Sequence, residues 1–398
     1  MKILLATSRY PWPPRRGDQL RAVQMAELLS QAHELTLLTP RPAAGLPPPP
    51  ADAPYRVETY EIRRGAGFVA GFGRALGRRL PLQSALFYQP DLGRRLRELA
   101  PAADLGILQL VRLALHLEDF GGTPLLVDLI DSLSLSFARR AAVDRPWRRP
   151  FLRFEARLLA RGERRLAERA ARVLVVCERD RQSLTEALPP ELAAKVVVAP
   201  LAPPERRPEA PSPERSDGAG PLLAMTGNLG YFVNADSVTW WLAEVWPTLR
   251  RARPDVRVVV AGDRPGAAVR HAVAAAGARL IESPPDLRAV LAEATVALAP
   301  MRCGAGVPVK ILEAWSAGLP VVASRWAAAG TSGRPEEDFR VVGQQPSEWV
   351  EAILDLLDRP AERQRLADAG RRRLASDYSL AEVGRRLEDT VLKAISPN

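Results

Sequence analysis

Cysteine, histidine and lysine are scarce in this chain, and each scarcity closes off a class of function. Two cysteines in 398 residues, Cys177 and Cys303, cannot build a disulfide framework, so a reducing, intracellular setting is expected. The three histidines, His33, His116 and His271, lie far apart and offer no zinc spacing, so no metal site is expected. Long apolar runs are missing as well. No stretch approaches the roughly 18–20 uninterrupted apolar residues of a membrane span. The apolar run after Lys2 is too short for a secretory signal and lacks a small-residue cleavage site before Arg9; it reads as a first buried strand. The expected protein is soluble or peripheral, and cytoplasmic. Lysine occurs only at Lys2, Lys195, Lys310 and Lys393 among 56 basic residues, so a lysine inside a motif carries information that an arginine would not.

The bulk of the sequence is that of a globular chain, 47% hydrophobic and 26% charged. Its length suits two domains. A net charge of +10 favours acidic surfaces: nucleic acid, anionic lipid or phosphorylated substrates. No nucleic-acid module is visible, and no nucleic-acid partner is expected.

Short apolar segments alternate with helical ones. Strands are expected at 2–6, 34–39, 57–62, 105–108, 125–129 and 173–176, with a helix over 19–31. A second series begins at Leu222 and runs through strands at 256–261, 294–299 and 320–323 and a helix near 266–276. Between the two series, residues 201–220 are rich in proline and have no apolar period, which reads as a linker. This pattern predicts two doubly wound, Rossmann-like α/β domains, 1–200 and 221–379, facing across a cleft. Amphipathic helices are expected at 346–358, 361–375 and 380–394, the last returning with 395–398 to the first domain.

Residues 304–323 are the most informative. A glycine loop, Gly304-Ala305-Gly306-Val307, leads into a short helix beginning near Pro308 and stopped by Gly318. Apolar strands lie on either side. Ligands of open parallel sheets bind at such strand-to-loop junctions, and free N–H groups at a helix start favour phosphate. Lys310 and Glu313 share one face of that helix. A cation for phosphate and a carboxylate for sugar hydroxyls suit a nucleotide-sugar. The same spacing also describes an ordinary solvated ion pair, worth little.

Together with the segment Gly227-Asn228-Leu229-Gly230-Tyr231-Phe232-Val233-Asn234 and the strand end at 258–265, this block resembles the GT-B glycosyltransferases. The likeness is greatest to family 4, retaining enzymes that use nucleotide-activated sugars, and within it to bacterial exopolysaccharide-associated transferases. The resemblance implies that Glu313, matching the second glutamate of the family's paired-glutamate element, binds the nucleotide ribose. Its partner position holds Ala305, so the implied donor-sugar contact passes to the backbone N–H groups of Gly304–Val307. The Arg/Lys pair that grips the diphosphate in the family is absent from Gly227–Tyr231. Lys310 is the replacement expected here, with Arg264 second; Gly227 and Asn228 remain on the donor loop. In the first domain, Gly17-Asp18 stands where the family has Gly-Gly near the donor phosphates. No histidine occurs in 127–132. There Asp128 and Asp131, at a strand end, either bind acceptor hydroxyls or act as a base, or else cap the following helix. His33 and His116 are expected to be structural, and His271 to face solvent.

Arginines are dense from Arg139 to Arg172, with leucines interleaved, and predict one long basic amphipathic helix. It is read either as a contact for anionic lipid headgroups or as a surface helix whose leucines pack while its arginines solvate. Residues 65–87 are a second candidate for membrane or acceptor contact. The expected function is retaining, metal-independent transfer from a nucleotide-diphosphate sugar to a glycan, lipid-linked or small-molecule hydroxyl, with no resident cofactor. The alternative is a catalytically impaired GT-B protein that binds a nucleotide-sugar or a partner protein.

Overall fold

A computed structural model describes residues 1–204 and 220–395. Most of the 201–220 linker therefore lies outside the described residues. The chain divides into two units, Met1–Leu201 with Leu380–Asn398, and Ala202–Ser379.

The first unit is built on a parallel sheet of seven strands: β1 (Lys2–Ala6), β2 (Glu34–Pro40), β3 (Arg56–Tyr60), β4 (Leu105–Gln109), β5 (Leu125–Ile130), β6 (Arg172–Val175) and β7 (Val196–Val198). Their order is β3-β2-β1-β4-β5-β6-β7, so the chain reverses direction across the sheet between β1 and β4. All residues of β4 and β5 are buried, as expected of parallel strands covered on both faces by helices. Helices that bear on the argument are α1 (Gly17–Leu29), α2 (Arg64–Gly77), α3 (Leu82–Phe87), α4 (Leu133–Val143) and α5 (Arg149–Arg169).

The expected continuous basic helix is broken in two. Asp144 leaves helical geometry with ψ 168°, and a short 3-10 turn, Pro146–Arg148, separates α4 from α5. Pro146 supplies no N–H and holds the preceding residue out of the helical region, which forces the break. Along α5, Leu152, Leu158, Leu159 and Leu166 are buried while Arg153, Arg157, Arg161 and Arg164 are exposed. This is the leucine-in, arginine-out arrangement of a surface helix.

The second unit repeats the plan with six parallel strands: β8 (Leu222–Thr226), β9 (Arg257–Gly262), β10 (Arg279–Glu282), β11 (Val296–Ala299), β12 (Val321–Ser324) and β13 (Arg340–Val342). Their order is β10-β9-β8-β11-β12-β13, with the reversal between β8 and β11. Helix α6 (Phe232–Glu244) follows β8, and α7 (Val309–Ser316) follows β11. The last helix, α8 (Leu380–Ile395), packs on α1 of the first unit, where His33 Nε2 meets the Glu388 carboxylate at 2.9 Å.

Three strands have no counterpart among those read from the sequence: β7, β10 and β13. Each is a sheet edge of three or four residues. No residue of β10 is fully buried, and its two ends, Arg279 and Glu282, are exposed, so it lacks the apolar run that marks an interior strand.

Candidate functional site

In the second unit, the loops after β8 and β11 lie at the point where the strand order reverses, the usual ligand position of an open α/β sheet. The β8 loop is shaped by glycine. Gly227 has φ +138°, and a Cβ on Gly262 at the end of β9 would clash with the Gly227 carbonyl oxygen. Asn228 closes the turn: its Oδ1 accepts from the Gly230 N–H at 3.1 Å. Its carbonyl accepts from Asn234 Nδ2 at 3.0 Å. Arg264, at φ +52°, follows β9; its side chain is exposed and makes no ion pair among the described residues.

After β11, Gly304 and Gly306 take φ +110° and +74°, values that L side chains rarely adopt. The amides of Ala305 and Val307 donate no hydrogen bond among the described residues. Helix α7 begins just beyond, with no side-chain cap on its first turn. Its inner face is held by Trp315, wholly buried and stacked on Phe339 with ring centroids 5.5 Å apart. Gly318 ends it at φ +70°.

That anchoring presents Lys310 and Glu313 on the other face, both half-buried. They form no salt bridge. Lys310 Nζ donates to Asn234 Oδ1 at 2.7 Å, tying α7 to the first turn of α6 across the reversal point. The Glu313 carboxylate makes no hydrogen bond among the described residues. Burial lowers the Lys310 ammonium to about 8, against the pull of the Glu313 charge. Burial raises Glu313 to about 7, with Lys310 opposing and Asp286 adding to the rise. A solvated ion pair would have neither feature. Two charged groups kept partly dry, one of them without a partner, have the character of a binding site.

The sequence segment 227–234 contained Asn234, but nothing in its spacing assigned it a role. Its position in the first turn of the helix after a glycine loop is the signal that marks it.

The first unit has a corresponding edge. Asp131 follows β5 and is half-buried, without a side-chain hydrogen bond among the described residues. Burial, then the Asp180 charge, push its carboxyl up to about 7, while Arg112 pulls it down. Ile130 just before it has φ +64°, a strained value for a β-branched residue. The chain leaves β5 there, with the Asp131 N–H donating to the Leu129 carbonyl at 2.7 Å. Neither aspartate caps α4; Ser132 does, accepting from the Leu135 N–H at 3.3 Å.

Asp128 has a different place. It is wholly buried and pairs at 3.2 Å with Arg21, also wholly buried, whose Nη1 donates to the Pro200 carbonyl at 2.7 Å. A carboxylate enclosed in this way has no path to an acceptor hydroxyl, and the fold assigns it to fastening α1 beneath the sheet. Arg21→Met should lower stability by about 3–5 kcal/mol by stranding the Asp128 charge, as read from urea unfolding. A loss below about 1 kcal/mol would contradict an ionised pair.

Gly17 opens α1, and a Cβ there would meet nothing within 4 Å, so the protein itself does not require glycine. Beside it, Asp18 pairs with Arg9 at 2.5 Å and with Arg112 at 3.4 Å. Both guanidiniums lie over the Phe87 ring, at 5.5 and 5.1 Å. Arg9 and Arg112 escaped sequence reasoning. Each follows the end of a strand flanking the reversal, β1 or β4, and that position is the available clue.

His116 is buried, bonded to Asp119 at 2.9 Å and stacked on Tyr88, and burial lowers its pKa; its surroundings are those of a packed core histidine. His271 is exposed on its helix. Among the described residues, no group of three or more His, Cys, Asp or Glu is placed to hold a metal ion, and no helix is long and apolar enough to cross a membrane.

Comparison with known proteins bears on the same region. Residues 220–359 match the family model described as Glycosyl transferases group 1. No curated protein matches the chain in sequence. Among solved structures, sucrose-phosphate synthase from Thermosynechococcus elongatus superposes with a TM-score of 0.72 at 15% identity, covering 98% of each chain. Anabaena HepE in complex with UDP-glucose gives 0.70 at 14% identity, over 98% of this chain and 99% of that one. An α,α-trehalose-phosphate synthase (UDP-forming) from Burkholderia vietnamiensis gives 0.65 at 14% identity, over 99% of both. The fold is GT-B. The residues that the family model matches lie in the second unit.

Proposed function

We propose that the protein is a retaining glycosyltransferase that takes a sugar from a nucleotide-diphosphate donor. One observation carries the reading: Lys310 and Glu313, half-buried and unpaired with each other, sit beside two glycine loops at the strand-order reversal of the second unit. In this reading the Lys310 ammonium, the Arg264 guanidinium and the amides of Ala305 and Val307 meet the diphosphate. Glu313 accepts from the ribose hydroxyls. The bond between the anomeric carbon and the β-phosphate oxygen breaks, and the anomeric carbon bonds to an acceptor hydroxyl oxygen. The hydroxyl proton leaves for the departing phosphate or for Asp131. Negative charge grows on the diphosphate as the bond breaks, and the fixed cation and amides stabilise it there without help from a resident metal.

The acceptor is a glycan, small-molecule or lipid-linked hydroxyl met by the first unit, where Arg9 and Arg112 lie over Phe87 and the Arg112 charge acts on Asp131. Work at the inner face of a membrane suits the lipid-linked case. The family match over 220–359 and the solved neighbours bound to UDP and UDP-glucose support the donor class.

A thermal-shift screen against UDP-, GDP- and ADP-sugars tests the reading. At least one should raise the melting temperature, and Glu313→Ala should remove the rise. No rise with any of them would end the proposal. A second reading, a binding protein without turnover, is favoured by Ala305 and by the lack of a basic residue in 227–231. It predicts the thermal shift without release of nucleotide diphosphate.

A further inference from the structure

Helix α2 is packed inside out. Gly67, Gly71 and Ala75, four residues apart, form its inner face. A Cβ on Gly67 would stand 2.7 Å from the Tyr88 carbonyl oxygen, and one on Gly71 would stand 2.8 Å from that of Ala85. The small residues thus let α2 lie hard against α3. Its large apolar side chains point to solvent instead: Phe68, Val69, Phe72 and Leu76, with Val69 73% and Leu76 66% exposed. Folding ordinarily does the reverse, because large apolar groups gain most from leaving water.

Large apolar side chains are exposed beyond α2 as well. Leu86 is exposed on α3. The Glu155 carboxylate of α5 accepts the Leu82 and Gln83 N–H groups at 3.1 and 3.0 Å, which fastens α3 to the first half of α5. On that half of α5, and on the turn before it, Trp147, Phe151 and Phe154 are exposed.

Charge within these segments has a single sign. Residues 62–90 hold five arginines and no carboxylate, and residues 145–154 hold four and none. Arg63, Arg78, Arg79 and Arg153 are exposed and make no ion pair among the described residues. On the neighbouring helix Pro90–Leu99 the pattern is ordinary, with Arg94 paired to Asp91 and Glu98 at 2.7 Å each.

We propose that α2, α3 and the start of α5 form a docking surface for a bilayer of anionic phospholipids. The aromatic and aliphatic side chains enter the boundary between headgroups and acyl chains, and the arginines meet the lipid phosphates. Charge complementarity selects this occupant. A second copy of the chain would bring the same positive face against itself. The surface builds on the lipid-linked acceptor proposed above, while its test is independent of donor binding.

Co-sedimentation of the full chain with vesicles supplies that test. The protein should bind phosphatidylglycerol–phosphatidylcholine vesicles, bind pure phosphatidylcholine weakly, and release with added salt. Phe68→Ser/Phe72→Ser and Arg78→Glu/Arg79→Glu should each lower partitioning by about tenfold or more. These side chains are exposed, so the melting temperature and the shift with a nucleotide-sugar should hold. Absence of wild-type binding, or equal binding by both variants, would overturn the surface. So would light scattering that shows a lipid-independent dimer dissolved by the phenylalanine variant. Vesicle binding without any donor shift would sink the glycosyltransferase reading and leave the docking surface standing.

Discussion

Lys310→Ala should weaken donor binding by about 10–100-fold, the usual worth of one charge-assisted hydrogen bond in a partly dry site. Its present partner, Asn234 Oδ1, is a neutral acceptor that a phosphate oxygen can displace or share. The loss should be steeper for nucleoside diphosphates than for monophosphates, since the proposal sets this cation against the pyrophosphate. Removing it also takes away the charge that holds Glu313 down, so that carboxyl should rise further.

The pH dependence of binding follows from the same two groups. In the proposed site, phosphate needs Lys310 charged, which holds below about 8, and ribose needs Glu313 ionised, which holds above about 7. Affinity should therefore peak between these values and decline on both sides. Glu313→Gln should flatten the acid limb only. Isothermal titration across pH 6 to 9 would measure both effects, and a flat profile for wild type would contradict the assignment.

Asp131→Asn should lower kcat by about a hundredfold or more, the range typical of a positioned acid–base group, with donor affinity little changed. Wild-type kcat should rise with pH through about 7 as Asp131 ionises, and the variant should lose that limb. A carboxylate that only supported the fold would leave the shape of the profile unaltered.

Stability should move in the opposite direction. The folded pKa of Asp131 is raised, so the native state holds a proton that the unfolded state releases. Its contribution is present below the ordinary carboxylate pKa near 4 and is lost as pH climbs through about 7. Glu163, wholly enclosed and bonded to Ser134 N–H and Oγ at 3.0 and 2.5 Å, is likewise pushed by burial up to about 7 and acts with the same sign. Asp131→Asn should thus melt higher than wild type at pH 8, with the gain shrinking toward pH 4. Equal melting temperatures at pH 8 would show that Asp131 is not held in a costly ionised state.

Sequence alone determined the interior of both sheets and the loops at their reversal points. Buried parallel strands must be apolar on both faces, so β1, β4, β5, β8, β11 and β12 stand out as runs, and glycine marks 227, 304 and 306 because the backbone there takes positive φ. Lysine at 310 was conspicuous against an arginine background, and Glu313 followed from helical spacing.

Tertiary structure decided the rest, because the deciding quantities are distances and burial between residues remote in the chain. Asp128 and Asp131 are three residues apart and look alike in sequence. One is sealed against Arg21, 107 positions away, and the other lies half-buried just beyond Ile130, whose φ is positive. Lys310 could have paired with Glu313 one turn along its own helix, yet packing carried it to Asn234, 76 positions away. The inverted packing of α2 was equally hidden, since residues 65–87 stood out as a candidate contact segment without showing which side chains meet the protein. The glycines at 67 and 71 decide that, by fitting where a larger residue would collide with Tyr88 and Ala85.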